Sequence, residues 1–112
     1  MPKKNIYFKF EMLILSILQY KDCYGYEITQ IIKRLSDGVI DIKEGVLYPN
    51  LYKLLQVGYI SSRDVQVNRK IRVYYHLEDT GREYLQMITE EYCLWEEKIN
   101  KIIHCKGEDI YE

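Results

Sequence analysis

The hydrophobic period of this chain changes twice, and few folds accommodate both changes. Phe10, Leu13, Ile14, Ile17 and Leu18 follow the i, i+3, i+4, i+7, i+8 spacing of an amphipathic helix ending near Tyr20. A polar turn, Lys21-Asp22-Cys23, leads to a second helical stripe, Ile28, Ile31, Ile32 and Leu35, stopped by Ser36-Asp37-Gly38. After the extended piece 39–42 a third stripe, Leu47, Leu51, Leu54 and Leu55, ends at Gly58. Pro49 lacks the N–H of an interior position, so either regular helix begins close to Val46, with Pro49 in its first turn, which is the favoured reading, or a slight irregularity sits at Pro49. Then the period becomes two: Ile71, Val73, Tyr75 and Leu77 alternate with Arg72, Tyr74 and His76, behind a facing run from Tyr59 to Val65. That is a hairpin with a basic tip. Within it Tyr75 belongs to the packed side and Tyr74 to the outer one.

The helical period returns in its sharpest form at the C-terminal side. Leu85, Ile88, Tyr92, Trp95, Ile99 and Ile102 are spaced 3, 4, 3, 4, 3, an a/d heptad seam on one long helix. The seam can pair with a second copy or pack back on its own domain; the strict spacing and the Glu-rich flanks favour the pairing. The expected fold is therefore mainly α with a small β-hairpin: a winged helix-turn-helix over residues 1–78, with a long dimerisation helix and tail over 79–112.

The 112 residues suffice for one core, and a net charge of −1 hides an uneven distribution. Residues 1–77 carry 12 Lys and Arg against 7 Asp and Glu; residues 78–112 carry 4 against 10. A basic body with a separate acidic element suits a binder of double-stranded DNA that assembles through its other end. No apolar run approaches the ~20 residues of a membrane span. The first residues have no secretory h-region, so a cytoplasmic protein is expected. Cys23, Cys93 and Cys105 are an odd set at long spacings, expected as reduced thiols rather than disulfides or zinc ligands. His76 and His104 stand in no ligand or base pattern. With no paired carboxylates, activated nucleophile or phosphate-cradling loop, neither an enzyme nor a cofactor is expected.

The stretch Glu44-Gly45-Val46-Leu47-Tyr48-Pro49-Asn50-Leu51-Tyr52-Lys53-Leu54 with Gly58-Tyr59-Ile60 is the most specific motif in the chain. It resembles the E-G-T-L-Y-P-x-L-x-R-L and G-L-I signature of the PadR family of bacterial transcriptional regulators. Tyr24-Gly25-Tyr26-Glu27-Ile28 and Arg69-Lys70-Ile71-Arg72-Val73-Tyr74-Tyr75-His76-Leu77 resemble two further family pieces. Val46 and Lys53 depart from the usual Thr and Arg, and Leu77-Glu78-Asp79-Thr80-Gly81 departs from L-T-x-x-G, which moves the helix cap toward Asp79. The resemblance implies a homodimeric regulator, a repressor, on a pseudo-palindromic operator. It also implies release by a planar aromatic ligand between C-terminal helices.

A helix in the major groove reads bases from its N-terminal part, which here offers Lys43, Glu44, Val46, Tyr48, Asn50 and Lys53. Lys43 and Lys53 suit phosphate. Asn50 can pair with adenine or stand in solvent, and Tyr48 can meet a phosphate or pack on the first helix. Arg69, Lys70 and Arg72 at the hairpin tip, with Arg63 opposite, suit phosphates or the minor groove. Lys3, Lys4 and Lys9 are weaker candidates. Tyr92 and Trp95 are large knobs for a tight seam and can either fill it or wall a site for a flat ligand. The competing class is a winged helix used as a protein-interaction module.

Overall fold

A computed structural model describes residues 9–111. In order, the chain forms α1 (Phe10–Leu18), β1 (Cys23–Tyr24), α2 (Gly25–Leu35), α3 (Glu44–Val57), β2 (Ile60–Val67), β3 (Lys70–Leu77), α4 (Asp79–Ile103) and a short 3-10 turn (Gly107–Ile110). Lys3 and Lys4 lie outside the described residues. The three short helices, the β2–β3 wing and the long last helix are those expected.

The helical stripes supply the core. Ile14 and Leu15 of α1, Ile28 of α2, and Leu47, Leu51 and Leu54 of α3 are essentially solvent-free. Ile60, Tyr75 and Leu77 close the core from the sheet, and Leu85 and Ile88 from α4. Burying each such aliphatic side chain contributes about 1.5–3 kcal/mol, so this shared interior fixes how α3 is presented.

Three local expectations need correction, and a fourth needs an addition. Lys21-Asp22-Cys23 is not wholly a turn: Cys23 and Tyr24 form β1, which pairs antiparallel with Tyr75 and Tyr74. The sheet thus has three strands, in the order β1-β3-β2. Secondly, α3 begins at Glu44, so Pro49 lies in its second turn. The carbonyl a Pro49 N–H would have used belongs to Gly45, and α3 nevertheless runs on through Pro49 to Val57. Thirdly, Glu78 rather than Asp79 is the N-cap residue of α4, and it makes no side-chain cap bond. Its carboxylate instead accepts from Ser61 Oγ at 2.5 Å. Lastly, Tyr48 has a packing partner that was not expected, Gly25 at the start of α2: a Cβ at Gly25 would lie 2.8 Å from its hydroxyl oxygen.

The junction between α3 and α4 is tight. Gly58 ends α3 in the left-handed region at φ 83°, where a Cβ is disfavoured. Thr80 Oγ1 donates to the Gly58 carbonyl at 2.8 Å, and Glu78 N–H to the Tyr59 carbonyl at 3.0 Å. Gly81 sits so close that a Cβ there would be 2.1 Å from the Tyr59 carbonyl oxygen. Beyond Tyr92, which still packs against the core, α4 leaves the body, and the molecule measures 67 × 33 × 24 Å.

Candidate nucleic-acid interface

The leucine stripe of α3 turns the opposite face outward. Val46, Tyr48, Tyr52 and Lys53 are exposed there, and Asn50 is half-buried. Lys43 and Glu44 stand exposed at its N-terminal end, where the first-turn carboxylate of Glu44 lies favourably against the helix dipole. Lys43 reaches back to Asp41 at 2.8 Å, and Lys33 lies 3.9 Å from the same carboxylate. These lysines hold the Asp41 carboxyl below its usual range, chiefly through the Lys43 hydrogen bond, which outweighs the opposing effect of burial. Asn50 turns its amide along the helix, Nδ2 donating to the Val46 carbonyl at 2.7 Å. Lys53 lies on the flank, 3.7 Å from Glu11.

The wing is a two-residue hairpin. Val67 pairs with Lys70, leaving Asn68 and Arg69 as the turn, both at positive φ, 49° and 68°. This is the turn geometry whose twist matches the flanking strands, though Asn-Gly is its usual sequence. Arg69 and Lys70 are exposed at the tip. Arg72 lies further back, its guanidinium 4.3 Å from the Tyr24 ring centroid. Arg63, on the same face as Tyr74, bonds Asp22 and lies 5.7 Å from the Tyr74 ring centroid. His76 Nδ1 is 2.8 Å from the other Asp22 oxygen. Partial burial pushes the Asp22 carboxyl up, but the hydrogen bonds from Arg63 and His76 prevail and hold it below the usual range. The four wing cations thus divide into a free pair at the tip and a braced pair at the base.

One surface groove connects the two elements. Tyr24, Gly25 and Tyr26 at the start of α2, Tyr48 of α3, and Ile71, Arg72 and Val73 of the wing line it. Tyr48 and Arg72 are thereby brought together, while Lys53 faces the α1 side. Reading the sequence by its leucine stripe missed Tyr52, 64% exposed and one turn beyond Tyr48, and Tyr26, also 64% exposed. Both are visible once the positions opposite the buried stripe are enumerated.

The heptad residues of α4 fall into two sets. Leu85 and Ile88 are 6% and 1% exposed and belong to the chain's own core, so they are not available to a second helix. Tyr92 is half-buried, its hydroxyl donating to Glu96 at 2.8 Å, and Ile99 is half-buried. Trp95 is 44% and Ile102 73% exposed. Leu94, Trp95 and Lys98 line a shallow, largely apolar depression. Among the described residues there is no cluster of His, Cys, Asp or Glu able to hold a metal, and no helix long and apolar enough to cross a membrane. All three cysteines are free, and burial pushes the Cys23 thiol up to about 11.

Three helices, a helix-turn-helix pair among them, with a β-wing beside the third define a winged helix-turn-helix protein of the transcription-regulator class. The family model described as "Transcriptional regulator PadR-like family" matches residues 14–87. The chain belongs to that family, whose members are transcriptional regulators and not enzymes. It is similar to a transcriptional regulator from Clostridium thermocellum, with 36% identity and a TM-score of 0.78 over 86% of this chain and 92% of that one. It is 31% identical over 88 residues to the transcriptional regulator YqjI of Escherichia coli, covering 79% of this chain and 41% of YqjI. Bacillus subtilis PadR, solved in complex with operator DNA, is similar over 69% of this chain and 45% of its own, with 29% identity and a TM-score of 0.62.

Proposed function

We propose that this regulator binds double-stranded DNA as a homodimer on a pseudo-palindromic operator and acts as a repressor. The body, residues 1–78, contacts DNA, and residues 79–112 assemble the dimer. The observation that carries the reading is the groove that joins the outward face of α3 to the wing, with Arg69 and Lys70 free at the wing tip. A helix of this exposure suits a major groove, and the tip cations suit the neighbouring phosphates or minor groove. Lys43, Glu44, Val46, Tyr48 and Asn50 face the bases and flanking backbone, and Arg72 supports the wing from its perch on Tyr24. The operator complex of the similar Bacillus subtilis protein supports the same reading.

Dimerisation is assigned to the distal part of α4. From Tyr92 at the edge of the core, Trp95, Ile99 and Ile102 continue the heptad spacing beyond the body, with Trp95 and Ile102 exposed and Ile99 half-buried, and a seam of that kind is stabilised by a matching one. A planar aromatic effector would stack against Trp95 in the Leu94–Lys98 depression. It would act by favouring one spacing of the two α3 helices over another.

The test is binding of the full chain to duplex DNA from just upstream of its own gene, against an unrelated duplex, at about 50 and 200 mM salt. Preference for the upstream duplex with a steep salt slope is the expected result. Absence of binding to either duplex at low salt overturns the reading in favour of a protein-interaction module.

A further inference from the structure

Glu11, in the first turn of α1, is the one charged side chain buried among the described residues, at 2% exposure. A carboxylate withdrawn from water needs partners on both oxygens. Oε1 accepts a hydrogen bond from the Tyr84 hydroxyl of α4, with Lys9 Nζ at 3.9 Å. Oε2 faces Lys53 Nζ of α3 at 3.7 Å. Tyr84 is itself fixed, stacked on Tyr59 with ring centroids 4.4 Å apart and planes 14° apart. Burial and the bond to Glu11 raise the phenol well above its ordinary range, so it remains a donor. The Lys53 side chain, by contrast, is 62% exposed on the flank of the helix assigned to DNA. Its ammonium is thus paired with a buried carboxylate while remaining largely open to solvent.

We propose that Glu11 is a positioning residue for DNA binding: it holds Lys53 against the body, and the Tyr84 hydroxyl, by sharing the carboxylate, sets how readily that cation passes to a phosphate. The inference rests on the DNA-binding reading above. It makes the first turns of α4 part of the control of an α3 cation, through Tyr84, without any motion of the backbone.

The charge logic gives opposite signs for two mild substitutions. Glu11→Gln keeps the shape and the acceptor for Tyr84 but releases Lys53. Tyr84→Phe removes a donor and leaves the carboxylate more dependent on its lysines. Binding of the full chain to a fluorescein-labelled duplex of unrelated sequence, followed across about 50–200 mM salt, reads both. Glu11→Gln should bind about three- to tenfold tighter at low salt, with a salt slope steeper by up to about 0.9, the value of one phosphate contact. Tyr84→Phe should bind about two- to fivefold more weakly. Both effects should shrink to within about twofold in a Lys53→Met background. A purely structural role weakens binding in both variants, so weaker binding by Glu11→Gln, or effects that persist without Lys53, overturns the proposal.

If Glu11→Gln fails to fold, Tyr84→Phe with and without Lys53→Met decides alone. Wild-type protein that binds no duplex condemns the DNA reading instead. Acetylation of Lys53 by sulfo-NHS acetate, followed by mass spectrometry, then decides the Glu11 contact: faster modification in Glu11→Gln supports it, and an unchanged rate overturns it.

Discussion

The two halves of α4 share one heptad spacing but meet different surroundings. Up to Ile88 the helix is strapped to the body, with Leu85 and Ile88 in the core and Gly81 pressed on the Tyr59 carbonyl. Beyond Tyr92, which still rests on the core, the same spacing leaves Trp95 and Ile102 exposed and Ile99 half-buried. Periodicity reports which side of a helix is apolar and is silent on what covers it. Covering is decided by where the helix starts, here by the Thr80, Glu78 and Gly81 contacts with the end of α3. The wing repeats the contrast on a smaller scale, with Arg63 and Arg72 braced at its base and Arg69 and Lys70 free at its tip.

The largest effects should come from breaking the packed half. Ile88→Ala should cost about 2–5 kcal/mol in denaturant unfolding, the range for emptying a buried aliphatic site. Ile102→Ala, measured at concentrations where chains are separate, should stay within about 0.5 kcal/mol of wild type. Equal losses at the two positions would erase the distinction between the halves. Gly81→Ala should lower the melting temperature by several degrees, because its Cβ cannot coexist with the Tyr59 carbonyl oxygen.

Next in size is assembly. Ile99→Glu combined with Ile102→Glu should leave the far-UV spectrum and the single-chain unfolding curve intact while weakening self-association at least about tenfold by sedimentation velocity. At the wing, Arg69→Ala with Lys70→Ala should flatten the salt slope of DNA binding by up to about 1.8, and Arg72→Ala by less. A larger change from Arg72 would mean that its contact with Tyr24 is given up on DNA.

Smaller effects belong to Trp95 and Asp22. Planar aromatic compounds should quench Trp95 fluorescence, and no quenching across a diverse panel would remove the effector site. Asp22, held below the usual carboxyl range by Arg63 and His76, contributes stability that is complete above the ordinary Asp value of about 3.9. That contribution is lost as pH falls through its lower folded value. The stability gap between wild type and Asp22→Asn should therefore be present at neutral pH and close in strong acid.

Much of this architecture is legible in the sequence because it rests on long periodic runs. The leucines of α3, the alternation of β3 and the α4 seam each repeat often enough to declare their element. β1 is too short to carry a period: two residues become a strand only because β3 lies alongside. The site was legible where it depends on residue type, as at the wing tip, and illegible where it depends on pairing. Nothing near Lys53 in sequence announces Glu11, and Asn50 gives no sign that its amide turns to the Val46 carbonyl. Tyr48 shows the same limit, since its position against Gly25 follows from the approach of α2 to α3.

The most direct test of the account is the number of chains bound per duplex, measured by sedimentation of the full chain titrated onto the duplex upstream of its own gene. Two chains per site, falling away together when Ile99 and Ile102 are replaced by Glu, is the result predicted from an α4 whose near half builds the body and whose far half joins two bodies. One chain per site, or two that persist in the variant, would contradict it.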